Sequence, residues 1–243
     1  MQKIYYVDAF CGAGKTYAAI KYALNIARCY KNILFVQPSI QLIKQSLQDC
    51  NDQLSGPPIQ FKISAIHSEN VPTGSVLSSV ISHLNSSGDI GEILFITHET
   101  FSQLQYFNRI NEWEVLIDEI PTVDQDLSLN LPDNHQIITD HLEVFSDHPV
   151  WYRIKTGDIT TLTNLSENRK HDDVYAVFKN LVSNIISNHW DVYVKKSNWH
   201  KLLNGEQAQF GCFALLNPSV LSGFNKVTIM GAMFEKSLLH VLW

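Results

Sequence analysis

The sequence predicts an α/β fold, a parallel sheet covered by helices on both faces, with a mixed α+β segment inserted before the last strand. Three observations predict it. Short apolar runs alternate with helical stretches from Ile4 to Glu119, and the first run leads into a glycine-rich turn. Regular patterning then fails between Thr122 and Phe224 and returns at Lys226. Buried parallel strands read as near-continuous apolar runs joined by right-handed helical crossovers, which selects this class.

The first strand is Ile4-Tyr5-Tyr6-Val7, and the turn after it is Ala9-Phe10-Cys11-Gly12-Ala13-Gly14-Lys15-Thr16. Tyr17 to Leu24 continues as a helix to about Cys29. Between a strand and a helix, the backbone N–H groups of such a P-loop (Walker A) turn curl around a phosphate, and the helix N-terminus adds the positive end of its dipole. Gly12, Ala13, Gly14 and Tyr17 are therefore read as nucleotide contacts. Lys15 is the cation for the β- and γ-phosphates, and Thr16 offers a hydroxyl to Mg²⁺. Ala9 stands where the pattern has its first glycine. The expected cofactors are ATP and Mg²⁺.

Asn32 to Gln37 is a second, buried strand stopped by Pro38, and Ser39 is the N-cap of a helix running through Ile43 and Leu47 to near Asn51. Ser55 to Pro58 is a loop, Phe61 to His67 a third strand, and Thr73-Gly74 introduces a helix from about Ser75 to Leu84. Asn85 to Gly88 breaks the chain before a fourth strand, Ile93 to His98, and a short helix, Phe101 to Phe107. The fifth strand, Glu114 to Glu119, ends in two acids. Behind a P-loop, an acid pair at a strand end suits the metal's water shell. Asp118 would bind Mg²⁺ through water, and Glu119 would orient or deprotonate the water that attacks the γ-phosphate.

Residues 122–224 are more polar, with Asp124, Asp126, Asp133 and Asp140 making the first part acidic. Asp172 to Asn188 is an amphipathic helix, and Asp191 to Val194 and Gly211 to Leu216 are strands. Trp151, Trp190 and Trp199 stand near Tyr152, Tyr193, Lys195 and Lys196. They read as a small domain's own core in preference to a platform for stacking bases. Lys226 to Ala232 is the sixth buried strand. The domains expected are a core over 1–121, an insertion over 122–224, and the last core strand with its helix over 225–243.

Composition sets outer limits. The 243 residues are 45% hydrophobic and 11% aromatic, an ordinary globular composition, and no apolar run reaches the ~20 residues that span a bilayer. The four cysteines form no C-x-x-C pair, and the ten histidines show no H-x₃-H or H-E-x-x-H spacing, which argues against zinc and a disulfide framework. The start of the chain lacks the pattern of a signal peptide, and Cys11 in the turn suits a reducing compartment. The expected location is the cytoplasm, the host's if the source is viral. A net charge of −6 weighs against a general nucleic-acid binder. It leaves open a groove that grips a strand through amides, hydroxyls and a few cations.

An A-x-x-x-x-G-K-T turn followed by Asp-Glu at a strand end resembles the first RecA-like domain of superfamily 2 (DEAD/DEAH-like) helicases. Gln37-Pro38-Ser39-Ile40-Gln41-Leu42 is similar to the family's motif Ia, and Thr97-His98-Glu99 to its later strand-end motif. The resemblance implies that Pro38, Ser39, Gln41, Thr97 and His98 contact a nucleic-acid backbone. Ser39 and Thr97 each offer a hydroxyl beside exposed amides. Gly231-Ala232 occupies the place of the motif that couples hydrolysis to strand movement, of which only the alanine matches. The implied function is Mg²⁺-assisted ATP hydrolysis driving strand translocation or unwinding. The implied partner is single-stranded or duplex nucleic acid, DNA in preference to RNA, and the compact motifs suit a phage.

The resemblance also implies a second RecA-like domain in cis, whose arginines would reach the γ-phosphate. The chain is therefore expected to be a fragment of a longer helicase, weakly active alone. Two other classes use the same phosphate cradle: a P-loop kinase or phosphotransferase, and a regulatory NTP-binding module without motor activity. Arg109, Arg153 and Arg169 are scattered and form no arginine-rich lid, which disfavours the kinase.

Overall fold

The computed structural model describes residues 3–54, 61–71, 75–86, 88, 90–104, 106–130, 134–168, 172–206 and 209–243. The loop expected at Ser55 to Pro58, the Thr73-Gly74 helix start, Asp133 and Arg169 lie outside them. The chain divides into two compact units, one of residues 1–122 and 218–243 and one of residues 123–217.

The first unit begins with β1 (Ile4–Asp8), α1 (Lys15–Arg28), β2 (Asn32–Gln37) and α2 (Ile40–Gln53). It continues with β3 (Phe61–Ala65), α3 (Val76–Asn85), β4 (Gly91–Thr97), α4 (His98–Ser102) and β5 (Trp113–Asp118). The second unit holds β6 (Asp124–Asp126), β7 (Leu129–Asn130), α5 (Gln136–Thr139), β8 (Leu142–Phe145) and β9 (Trp151–Thr156). There follow α6 (Ile159–Glu167), α7 (Asp173–Ile186), β10 (Trp190–Lys195), α8 (Lys196–Leu203), β11 (Gln209–Phe210) and β12 (Cys212–Leu216). The chain then returns to the first unit with β13 (Lys226–Gly231) and α9 (Leu238–Leu242).

The first unit is built on a six-stranded sheet of order β1-β13-β5-β2-β4-β3, parallel throughout. Its central strands are apolar on both sides. Ile33, Phe35, Ile93 and Phe95 pack with Ile20, Ala23, Leu24 and Ala27 of α1. The alternate residues Leu34, Val36, Leu94 and Ile96 are also 0% exposed, so both faces are covered. This is the α/β parallel architecture that the alternating runs predict. One detail lies outside the sequence reading and one differs from it. β1 lies at the sheet edge, paired with β13 alone, and Tyr5, Tyr6 and Val7 are each more than 40% exposed. The fourth helix spans His98–Ser102 where the sequence predicts Phe101 to Phe107; the Thr97 hydroxyl accepts from the Thr100 amide (3.3 Å) and caps it at the earlier start.

Glu92, at the start of β4, is buried and accepts from His83 Nε2 (2.7 Å) and Ser64 Oγ (2.8 Å), with Lys62 Nζ at 3.3 Å. Burial alone would raise its pKa. The His83 and Ser64 bonds and the charges of His83 and Lys62 outweigh burial and hold it below the ordinary carboxylate value of 4.5. The folded state then binds the proton less readily than the unfolded chain. The stability this carboxylate supplies is complete above pH 4.5 and is lost as pH falls through the lower folded value. Glu92→Gln should cost about 1–3 kcal/mol at neutral pH and flatten the acid limb of a denaturation-midpoint-versus-pH curve. An equally steep acid limb in the variant would count against this account.

The second unit carries an antiparallel sheet of order β6-β12-β10-β9-β8 and a small β7–β11 ribbon. Val192 and Val194 of β10 turn inward with Leu181, Val182 and Ile185 of α7, all buried. Asp172 caps α7 by accepting from the Val174 amide (2.8 Å). Trp190 and Trp199 are buried, as a core requires. Trp151 is half-buried and meets Phe213 edge-on at 5.0 Å, with Tyr193 stacked on the same ring at 5.5 Å.

Candidate functional site

β1 delivers the chain to the turn at Ala9, whose amide donates to the Gly231 carbonyl (3.1 Å). Gly12 and Gly14 both take φ +78, and a Cβ built on either would meet no atom within 4 Å. The turn therefore needs glycine for its left-handed backbone and not for lack of room. Gly14 caps α1 without a side-chain hydrogen bond, so the first amides of the helix stay available to an anion. Lys15 donates to the carbonyls of Ala9 (2.8 Å) and Phe10 (3.0 Å), which keeps its ammonium inside the turn.

Asp118, at the C-terminal end of β5, is 3% exposed. Its Oδ2 accepts from Thr16 Oγ1 (2.8 Å) and Gln37 Nε2 (3.2 Å), and Gln37 Nε2 also donates to Ser46 Oγ (2.9 Å). The Asp118 carbonyl is held by His98 Nε2 at 2.9 Å. A carbonyl can only accept, so the imidazole carries its proton on Nε2. Burial lowers the His98 pKa below its ordinary value, against the opposing pull of Asp118, and keeps the ring neutral. Glu119 follows with φ +68 and is exposed. A non-glycine residue in that region is uncommon and marks a locally constrained backbone.

These parts open onto one cavity of about 510 Å³. Gly12, Gly14, Lys15, Thr16 and Tyr17 line one side, Asp118, Glu119 and Ile120 the next, and Gly231 and Ala232 the third, with Cys11 at the turn. Gly231 is tightly fitted, since a Cβ there would come within 2.4 Å of Ile120 Cγ1. Mg²⁺ prefers hard oxygens and keeps most of its water, taking one or two protein ligands beside substrate phosphates. A hydroxyl and a carboxylate 2.8 Å apart at the mouth of a phosphate-binding turn suit that demand. No cluster of three or more His, Cys, Asp or Glu able to hold a metal occurs among the described residues, and a sparse Mg²⁺ site needs none.

A second cavity, of about 330 Å³, lies beside the ends of β2 and β4. Pro38, Ser39, Ser75, Thr97 and Thr100 line it, together with the carboxylate-bearing Glu99. Ser39, Ser75 and Thr97 each cap a helix here, accepting from the amides of Leu42 (3.3 Å), Ser78 (3.5 Å) and Thr100 (3.3 Å). The N-termini of α2 and α3 therefore face one hollow. Gln41 lies exposed in the first turn of α2 and does not line it, and His98 engages Asp118 instead.

The model of the family described as type III restriction enzyme, res subunit, matches residues 1–141. The chain belongs to this family. Its domain is a superfamily 2 helicase-like, RecA-type ATPase domain, the class that the P-loop and Asp-Glu motifs resemble. No curated protein matches the chain. The res-subunit match takes in the P-loop, both strand-end segments and Asp118-Glu119. No described helix is long and apolar enough to cross a membrane.

Several residues at the two cavities of this res-subunit chain were given no role in the sequence, among them Ser75 and Thr100 at the second and Ile120 at the first, and Gln37 stands behind them holding Asp118. Gln37 did leave a signal, as a polar side chain closing the apolar run Ile33–Val36 just before a proline. The end of a parallel strand is where α/β sheets present side chains to ligands. Ile120 left none, because its contact with Gly231 joins positions far apart in the chain.

Proposed function

We propose that the chain is the ATP-binding motor domain of a nucleic-acid-dependent ATPase of helicase type. The observation that carries the reading is the convergence of the P-loop, Thr16, Asp118 and Glu119 on one cavity. The amides from Gly12 to Thr16 cradle the phosphates, and Lys15 turns from the Ala9 and Phe10 carbonyls to the β- and γ-phosphates. Thr16 and Asp118 would hold Mg²⁺, which, when bound, neutralises charge developing across the β- and γ-phosphates. Glu119 orients the attacking water and takes its proton. Tyr17, exposed on the cavity's rim, contacts the nucleotide beyond its phosphates. Gly231 and Ala232 close the third side and transmit the change on hydrolysis.

Nucleic acid, DNA in preference to RNA, lies along the second cavity, where Ser39 and Thr97 and the helix amides beside them meet backbone phosphates. Pro38 shapes that lip, and Gln41 and His98 flank it. A second RecA-like domain in cis completes the site, since arginines reaching the γ-phosphate raise turnover by about 10³–10⁵-fold. The chain by itself is therefore a slow ATPase, working in the cytoplasm.

The test is ATP turnover with and without a single-stranded DNA or RNA oligonucleotide, on the chain and on a version joined to its second domain. Stimulation by the oligonucleotide is the expected result, with no turnover in Lys15→Ala. Phosphate transfer to a small acceptor, with no response to nucleic acid, would replace this reading by a kinase.

A further inference from the structure

We propose that Gln37 and His98 are positioning residues, which carry contact at the second cavity to the hydrolytic acids Asp118 and Glu119. The inference rests on the motor reading above and adds a route between its two sites. It starts from the order β5-β2-β4. In that order the end of β2 stands beside the end of β5 and the end of β4 one strand further on, with Gln37 in register with Thr97. Each of these ends sends one side chain to Asp118.

Gln37 grips the carboxylate. It is 0% exposed, and its amide nitrogen is shared between Asp118 Oδ2 and Ser46 Oγ. Its Oε1 has no hydrogen-bond partner among the described residues. A buried primary amide with an unpaired oxygen is costly to keep. A methionine or leucine would fill the same space without that cost, so the amide is explained by what its nitrogen holds. The reverse orientation would set an oxygen against a carboxylate, which fixes the nitrogen on Asp118.

His98 grips the backbone. Its Nε2–H donates to the carbonyl of Asp118, which belongs to the peptide joining Asp118 to Glu119. That bond fixes the plane of the peptide from which Glu119 departs with φ +68, and so sets the direction of the Glu119 side chain. Both grips sit one residue from the second cavity. Gln37 precedes Pro38, and His98 lies between Thr97 and Glu99, all three of which line that cavity. A strand seated on Ser39 and Thr97 loads the two segments that hold Asp118 from opposite ends, side chain and carbonyl. The path is two hydrogen bonds to Asp118, each one or two peptide links from a residue lining the second cavity, all within one packed unit.

Three variants test it: Gln37→Met, which keeps volume and removes the donor; His98→Ala; and His98→Gln, which returns an amide donor at similar reach. The readouts are the Mg²⁺ concentration for half-maximal binding of a fluorescent ATP analogue, anisotropy of a labelled single-stranded oligothymidylate, and ATP turnover with and without it. Gln37→Met should raise the Mg²⁺ requirement about tenfold, as loss of a residue behind a metal ligand does, with oligonucleotide affinity unchanged. Should it fail to fold, Gln37→Asn is read in the same way. His98→Ala should lower oligonucleotide-stimulated kcat by about tenfold or more with KM for ATP and both affinities unchanged, and His98→Gln should restore most of it. A native Mg²⁺ requirement in the folded Gln37 variant would overturn the proposal. So would a His98→Ala chain that binds the oligonucleotide tenfold more weakly yet is stimulated normally, because His98 would then be a direct strand ligand. If no oligonucleotide binds the native chain, the motor reading falls, and the Mg²⁺ measurement still decides Gln37.

Discussion

Glu119→Gln should lower ATP turnover by about 10²–10⁴-fold, the range carried by a positioned general base, while Mg²⁺-ATP binding stays near native. The separation follows from geometry. Asp118 is buried and tied to Thr16 at 2.8 Å, so the metal-holding pair keeps its place without the Glu119 carboxylate. Glu119 is exposed on the cavity wall, and its left-handed backbone turns the chain immediately after the strand. Glutamine preserves shape and backbone and removes the proton acceptor. Single-turnover hydrolysis and equilibrium binding of a fluorescent ATP analogue, measured on the same preparation, separate the two effects. A tenfold loss of binding would place Glu119 among the metal-holding groups, and unchanged turnover would remove it from the proton path. Asp118→Asn should do the opposite, weakening Mg²⁺-dependent binding first.

What could be read from the sequence was mostly local. The P-loop, its strand and its helix are contiguous, and each local preference agrees with the others. Ser39 was legible as a cap because a serine after a proline-stopped strand has little else to do, and its hydroxyl accepts from Leu42. Glu119's acid partner was legible because both acids follow one apolar run. What depends on distant pairing was not. The run Ile4–Val7 looks the same at a sheet edge as in its centre. Only the pairing of β1 with β13, more than two hundred positions away, leaves Tyr5 and Tyr6 exposed. The direction of His98 could not be read either, since its partner carbonyl belongs to a strand two places across the sheet. In the second unit, strands of two to six residues with one inward face give weak periodicity, and only β10, β12 and α7 stood out.

Gly91→Ala should be the most damaging added methyl group among the described glycines. Gly91 opens β4 against the last turn of α1, and a Cβ there would lie 2.0 Å from the Ala27 carbonyl oxygen and 2.8 Å from its carbon. Both are backbone atoms, so no side-chain rotation relieves the clash. Either β4 shifts from between β2 and β3, or α1 retreats, taking Ile20, Ala23, Leu24 and Ala27 out of the core. Overpacking of this kind costs about 1–3 kcal/mol when neighbours can yield, and more when they cannot, against a total stability of about 5–15 kcal/mol. Because α1 begins at Lys15, its displacement also moves the P-loop, and nucleotide affinity should fall together with the urea midpoint. Gly88→Ala is the matched control, since a Cβ there meets nothing within 4 Å and should change the stability by less than about 0.5 kcal/mol. A Gly91→Ala chain as stable as that control would mean that the end of α1 can move away from β4 at little cost. The sheet would then tolerate the shift without disturbing the phosphate cradle, and the rigidity assigned to this helix would be wrong.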